Sequence, residues 1–100
     1  MFKDFDLSKM QEMLENVQQK AKEFEDELEK KEFCASSGAG MCKVKVNAKF
    51  QILDISIDDE LLNDKSSMQI LLISALNDAL KQASNSTKDM ATNMFFKAGQ

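Results

Sequence analysis

Hydrophobic positions change period twice along this chain. From Leu7, apolar residues fall at Leu7, Met10, Leu14, Val17, Ala21, Phe24 and Leu28, in alternating steps of three and four. That is an a/d heptad seam, and it predicts a helix from about residue 7 to about 31, roughly 37 Å long at the standard rise. Asp6 is placed to cap its start, since a carboxylate accepts from the free N–H groups of a first turn. Lys30 and Lys31 suit the negative end of the helix dipole. A seam this regular needs a partner helix, either in the same chain or in a second copy.

Beyond Glu32 the period drops to two. Residues 32–36 (EFCAS) form a short candidate strand. Cys42, Val44 and Val46 then fall on one parity, against Met41, Lys43, Lys45 and Asn47 on the other, the signature of a half-buried strand. After a turn at Asn47-Ala48-Lys49, Leu53, Ile55 and Ile57 share a parity. With a two-residue loop, even positions of the first strand pair with odd positions of the second. Cys42, Val44 and Val46 would then share a face with Leu53, Ile55 and Ile57, and a one-residue slip would turn the strand over. The opposite face would carry Met41, Lys43, Lys45, Phe50, Ile52 and Asp54. Half of that face is apolar, which asks for burial beyond one small protomer and makes Met41, Phe50 and Ile52 a candidate dimer interface.

The last element begins near Ser66 or Ser67, both suitable N-caps. Leu72, Leu76, Ala79, Ala83, Thr87, Met90 and Met94 form a helical stripe, widened by Ile70, Leu71, Ile73 and Leu80. The first half of this helix should lie under the sheet and the second half project, ending in an exposed aromatic pair, Phe95 and Phe96. The pattern is α-β-β-β-α: one α+β domain over residues 1–100, with a long helix on each side of a three-stranded antiparallel sheet.

The punctuation between elements reads as turn chemistry. Ser37-Gly38-Ala39-Gly40 lacks the GxxxxGK[ST] frame of a phosphate-binding loop and does not open a helix. Asp58-Asp59-Glu60 marks a solvated turn and a favourable helix start, and Leu61-Leu62 an apolar anchor.

Composition narrows the chemistry. No apolar run approaches the roughly 20 residues of a membrane span, and the mixed, charged N-terminus is not a signal peptide. Cys34 and Cys42 do not form a CxxC pair and the chain has no histidine, so they read as free cytosolic thiols rather than metal ligands. Without histidine, tyrosine or tryptophan, no Ser-His-Asp or Cys-His arrangement can be built. The expectation is a non-enzyme with no catalytic residues, metal, cofactor, small-molecule substrate or membrane partner. The net charge is −4, unevenly spread: residues 23–32 hold six acids and two lysines, whereas residues 33–53 hold Lys43, Lys45 and Lys49 and no acid. All thirteen cations are lysine. Phosphates could therefore be met as point charges, but arginine's bidentate reading of guanine is absent.

Several segments carry a resemblance. KMQ at residues 9–11, QQKA at 18–21, SGAGMCKVKVNAKFQILDISID at 37–58, DELL at 59–62 and ALNDALKQA at 75–83 resemble the YbaB/EbfC family of bacterial nucleoid-associated proteins. The resemblance implies an α-β-β-β-α protomer that dimerises through its sheet, long helices arranged as a tweezer that binds DNA, and a cytoplasmic, nucleoid-associated location. Two departures stand out. Ala48 replaces the glycine that usually follows the hairpin asparagine, which disfavours a type I′ turn. The family's glycine- and methionine-rich tail is replaced by ATNMFFKAGQ.

Together these readings nominate Lys43, Lys45 and Lys49 on the hairpin, Lys20 and Lys22 on the first helix, and Lys81 and Lys88 on the last as contacts to double-stranded DNA. For any single lysine a solubilising surface charge is the plainer reading, and Lys43 could simply face Asp54 across the hairpin. Two functional classes stand side by side: a homodimeric nucleoid protein with salt-sensitive, weakly sequence-specific DNA binding, and a prefoldin-like helical interaction or holdase module.

Overall fold

The computed structural model describes the backbone of residues 7–98 and the side chains of residues 7–93. Asp6 and the side chains of Met94, Phe95 and Phe96 lie outside the described residues. Helix α1 (Leu7–Lys30) leads into strands β1 (Glu32–Ser37), β2 (Cys42–Asn47) and β3 (Ile52–Ile57), then a 3₁₀ turn (Asp59–Asn63) and helix α2 (Lys65–Ala98). The sheet is antiparallel in the order β1-β2-β3. The α-β-β-β-α order is the one the periodicity predicts.

The core lies between α2 and one face of β1 and β2. Ala35, Cys42, Val44 and Val46 are buried there against Ala75, Ala79 and Ala83, each fully inaccessible. The centre of the α2 stripe is therefore this line of alanines rather than Leu72 and Leu76. With only a methyl group at the contact, the helix backbone can approach the sheet closely, while Met68, Leu71, Leu72, Leu76 and Leu80 pack half-buried alongside. Ser37 Oγ donates to Leu71 O at 2.6 Å and Gln82 Nε2 to Cys34 O at 3.2 Å. The helix thus stays on the sheet past its midpoint, further than its apolar pattern suggested.

Both hairpins differ from the simplest reading. In the first, Met41 N–H donates to Gly38 O, and the central residues Ala39 and Gly40 have φ of +56° and +89°. These signs belong to a type I′ turn, the tight turn that matches strand twist. In the second, Phe50 N–H donates to Asn47 O and Asn47 N–H to Gln51 O, which makes a three-residue loop of Ala48, Lys49 and Phe50. The left-handed position falls on Phe50, at φ +64°, not on Ala48. An odd loop pairs even with even, so Val46 faces Ile52. A bulge between Lys45 and Val46 inserts Leu53 and restores the even–odd pairing of Val44 with Ile55 and Cys42 with Ile57. Ile52 therefore belongs to the α2 side of the sheet, a correction to its expected place beside Lys43. Asp54 pairs with Lys45, and Lys43 with Ser56.

Entry into α2 is set by Asp64 rather than by Ser66 or Ser67. Its carboxylate accepts from Ser67 N at 3.1 Å and Ser67 Oγ at 2.7 Å. Upstream, Asp58 accepts from Glu60 N, and of the two leucines only Leu61 is buried. Helix α1 buries no residue, and only Phe24 and Leu28, near its C-terminal end, are half-buried. The molecule measures 74 × 24 × 17 Å with a radius of gyration of 20.8 Å, against about 13 Å for a compact chain of this length.

Two outcomes follow for stability. Ala79→Leu should lower it by about 1–3 kcal/mol, since the side chain has no space between helix and sheet; urea unfolding of the variant measures this. The bonds from Ser67 hold the Asp64 carboxyl below its ordinary value of 3.8. Its stabilising effect should thus be complete above the unfolded-state value near pH 4 and fade as pH falls through the lower folded value. Asp64→Ala should flatten the acid limb of a stability–pH profile over that range.

Candidate nucleic-acid interface

The face of the sheet opposite α2 is polar and uncovered. Alternation places Glu32, Cys34 and Ser36 of β1 on this face with Lys43 and Lys45 of β2 and Asp54 and Ser56 of β3. Two rows cross it in register, Ser36–Lys43–Ser56 and Cys34–Lys45–Asp54. These six residues line a shallow cleft of about 330 Å³. Ser36, Ser56 and Cys34 are absent from the residues nominated by charge, although the alternation of EFCASS against CKVKVN is a signal for them.

The hairpin lysines are not equivalent. Lys45 Nζ lies 3.8 Å from Glu32 and faces Asp54 as its strand partner; Lys49 Nζ lies 3.2 Å from Glu29 of α1. Lys43 is exposed and makes no ion pair among the described residues. The helical lysines are exposed as well, and Lys20, Lys22, Lys81 and Lys88 have no ion pair there either. Lys20 and Lys22 are two residues apart and so project to different faces of α1, whereas Lys81 and Lys88, seven apart, share a face of α2. The structure therefore provides one lysine pair on β2 and one on α2, with Lys49 drawn to the C-terminal end of α1.

That end of α1 is held by the hairpin turn. Ala48 N–H is shared between Leu28 O (3.0 Å) and Lys31 O (3.1 Å). Asn47, 2% exposed, fixes the turn from inside: its Oδ1 accepts from Lys49 N and Gln51 N, and its Nδ2 donates to Gln51 Oε1 at 2.7 Å. Thr87 of α2 arrives at the same turn, its hydroxyl donating to Ala83 O at 2.9 Å with Ala48 O at 3.4 Å.

Met41, Phe50 and Ile52 do not form one patch. Met41 is half-buried against the core, Phe50 lies exposed in the hairpin loop at the other end of β2, and Ile52 faces the α2 side. Strand β3 exposes Ile52, Leu53 and Ile55, and α1 a further apolar row from Leu7 to Val17. Ile55 is 42% exposed although its partner Val44 is buried, because α2 packs on β1 and β2 and leaves β3 uncovered.

The profile of the YbaB/EbfC DNA-binding family matches residues 2–98, nearly the whole length. The chain belongs to this family. A nucleoid-associated protein of Campylobacter fetus is 61% identical over 95 residues, covering 95% of this chain and 92% of the relative. One from Campylobacter lari is 54% identical over 99 residues, covering 99% and 98%. The crystal structure of an uncharacterized protein from Helicobacter pylori superposes with a TM-score of 0.77 at 36% identity, covering 90% of this chain and 97% of that one. In this YbaB/EbfC chain the asparagine of the hairpin is a structural residue, holding a turn that contacts both helices.

Asn47→Ala should cost about 1–3 kcal/mol, because it strips two backbone donors of their acceptor in a part-buried turn. Lys49→Ala, which removes only a surface ion pair, should cost less than about 1 kcal/mol. Denaturant melts of the two variants give the comparison.

Proposed function

We propose that this YbaB/EbfC protein acts as a cytoplasmic homodimer that binds double-stranded DNA through lysine–phosphate contacts with weak sequence specificity, and so serves nucleoid organisation or gene expression. The family match over residues 2–98 carries the reading. The names of its relatives agree with it, and so does a surface whose exposed cations Lys20, Lys22, Lys43, Lys81 and Lys88 are free of ion pairs among the described residues. Lacking arginine, the chain would meet phosphates as single charges, which favours affinity over base reading. No catalytic step is assigned to it.

Dimerisation is supported by the incomplete burial of one protomer. Ile52 and Ile55 continue the core face across β3 and stay exposed, and Leu7, Met13, Leu14 and Val17 stand exposed on α1. A second copy would offer the same surface in symmetric form. The open seam on α1 is also the observation that favours a holdase, whose client binding would not respond to salt.

Anisotropy of a labelled duplex should show affinity falling linearly with salt on a log–log plot. Ile55→Asp should shift the sedimentation of the protein toward a monomer and weaken the duplex complex with it. A client-binding protein indifferent to duplex at low salt would instead establish the holdase.

A further inference from the structure

Both backbone groups of Ala48 meet a helix. Its N–H donates to Leu28 O and Lys31 O at the end of α1, and its carbonyl lies 3.4 Å from the Thr87 hydroxyl of α2. The residue is 1% exposed, and its methyl group brings no polar atom to the junction. Residues 7–23 of α1 are exposed throughout, Phe24 and Leu28 are half-buried, and Lys31 alone separates the helix from β1. On the surface, Lys49 adds its pair with Glu29. A helix that leaves the body through one residue pivots there unless something fixes its angle. The shared amide is the buried group in position to do so, since exposed ion pairs contribute little.

We propose that the Ala48 amide is a positioning group for DNA binding: it holds α1 at one angle to the sheet, and α1 swings about Lys31 when this bond is removed. This rests on the DNA-binding reading above, in which Lys20 and Lys22 of α1 act together with Lys81 and Lys88 of α2. Point charges on separate elements add up when their spacing is held, because an unheld arm must be ordered at the moment of binding. Ala48 sets that spacing without touching the duplex. The turn around it allows a clean test. Phe50 N–H closes residues 47–50 on Asn47 O, and the positive φ falls on Phe50, outside the two central positions. Those features describe a type I turn, whose first central position favours proline. Asn47 before it ends strand β2 and is extended, which suits a following proline. Ala48→Pro therefore keeps the turn and deletes the N–H.

The experiment measures, by double electron–electron resonance, the distance between a nitroxide on native Cys34 and one on α1 in Gln11→Cys. Cys34 is exposed, and Cys42 is fully buried and stays unlabelled. Dilution with unlabelled protein restricts the signal to one chain. The parent should give one narrow distance distribution. Ala48→Pro should widen it about twofold, and so should an ester in place of the Ala48 amide, which deletes the N–H without added bulk. Glu29→Gln should leave it unchanged to within about 1 Å. By duplex anisotropy, Ala48→Pro should bind about three- to tenfold more weakly at a given salt, with an unchanged salt slope because no phosphate contact is lost. A merely structural role would move the unfolding midpoint and leave that pair of readings alone. If the proline variant fails to fold, the ester decides. A distribution as narrow in the ester variant as in the parent overturns the hinge. A widened distribution with unchanged duplex affinity overturns the positioning role and leaves the DNA reading standing. Absence of duplex binding by the parent at low salt overturns both.

Discussion

One backbone amide governs how the long helices leave the sheet. Ala48 N–H is divided between the carbonyls of Leu28 and Lys31, two groups at the end of α1 that the helix itself leaves open. A turn held this way needs its own backbone satisfied locally, and Asn47 does so from a buried position. Lys49 and Glu29 add a surface ion pair across the same junction, and Thr87 brings α2 to it. Sheet, first helix and second helix therefore meet within a few residues of the hairpin, and the direction of α1 depends on that meeting because little else touches it.

The small side chains of α2 explain the rest of the architecture. Ala75, Ala79 and Ala83 let the helix settle onto β1 and β2, and that close fit confines its cover to two strands. The third strand then presents isoleucines to water on the face where valines are buried. One choice of residue size thus gives both a tight core and an exposed apolar edge. The polar side of the sheet is spared the same demand, which leaves its lysine and serines free.

Much of this was legible in the sequence because period alone decides element type. The heptad of α1, the alternation of Cys42, Val44 and Val46, and the length of α2 all appear where their patterns begin and end. Parity across the second hairpin was not legible to the same degree. It depends on whether the loop has two residues or three, and Phe50, a residue ill suited to positive φ, gave no turn signal. The compensating bulge at Leu53 is a second local event, so the pattern puts Ile52 on the wrong face but Ile55 and Ile57 on the right one. The candidate site shows a related division. Lys43, Lys45 and Lys49 look alike as a basic run, but Glu32 and Glu29, distant in the chain, occupy two of them. The register that brings Ser36 and Ser56 beside the third is a tertiary fact.

The junction at Ala48 also has a mechanical consequence. Helix α1 is a rod of 24 residues, about 36 Å, clamped at one end by a bifurcated hydrogen bond and otherwise almost free of the body. A rod so mounted is a lever: a rotation of about 5° at its base carries its tip through about 3 Å. The distance from that tip to the end of α2 would then be adjustable, with the sheet as the fulcrum. Compliance at one amide would let a stiff scaffold fit surfaces of differing width.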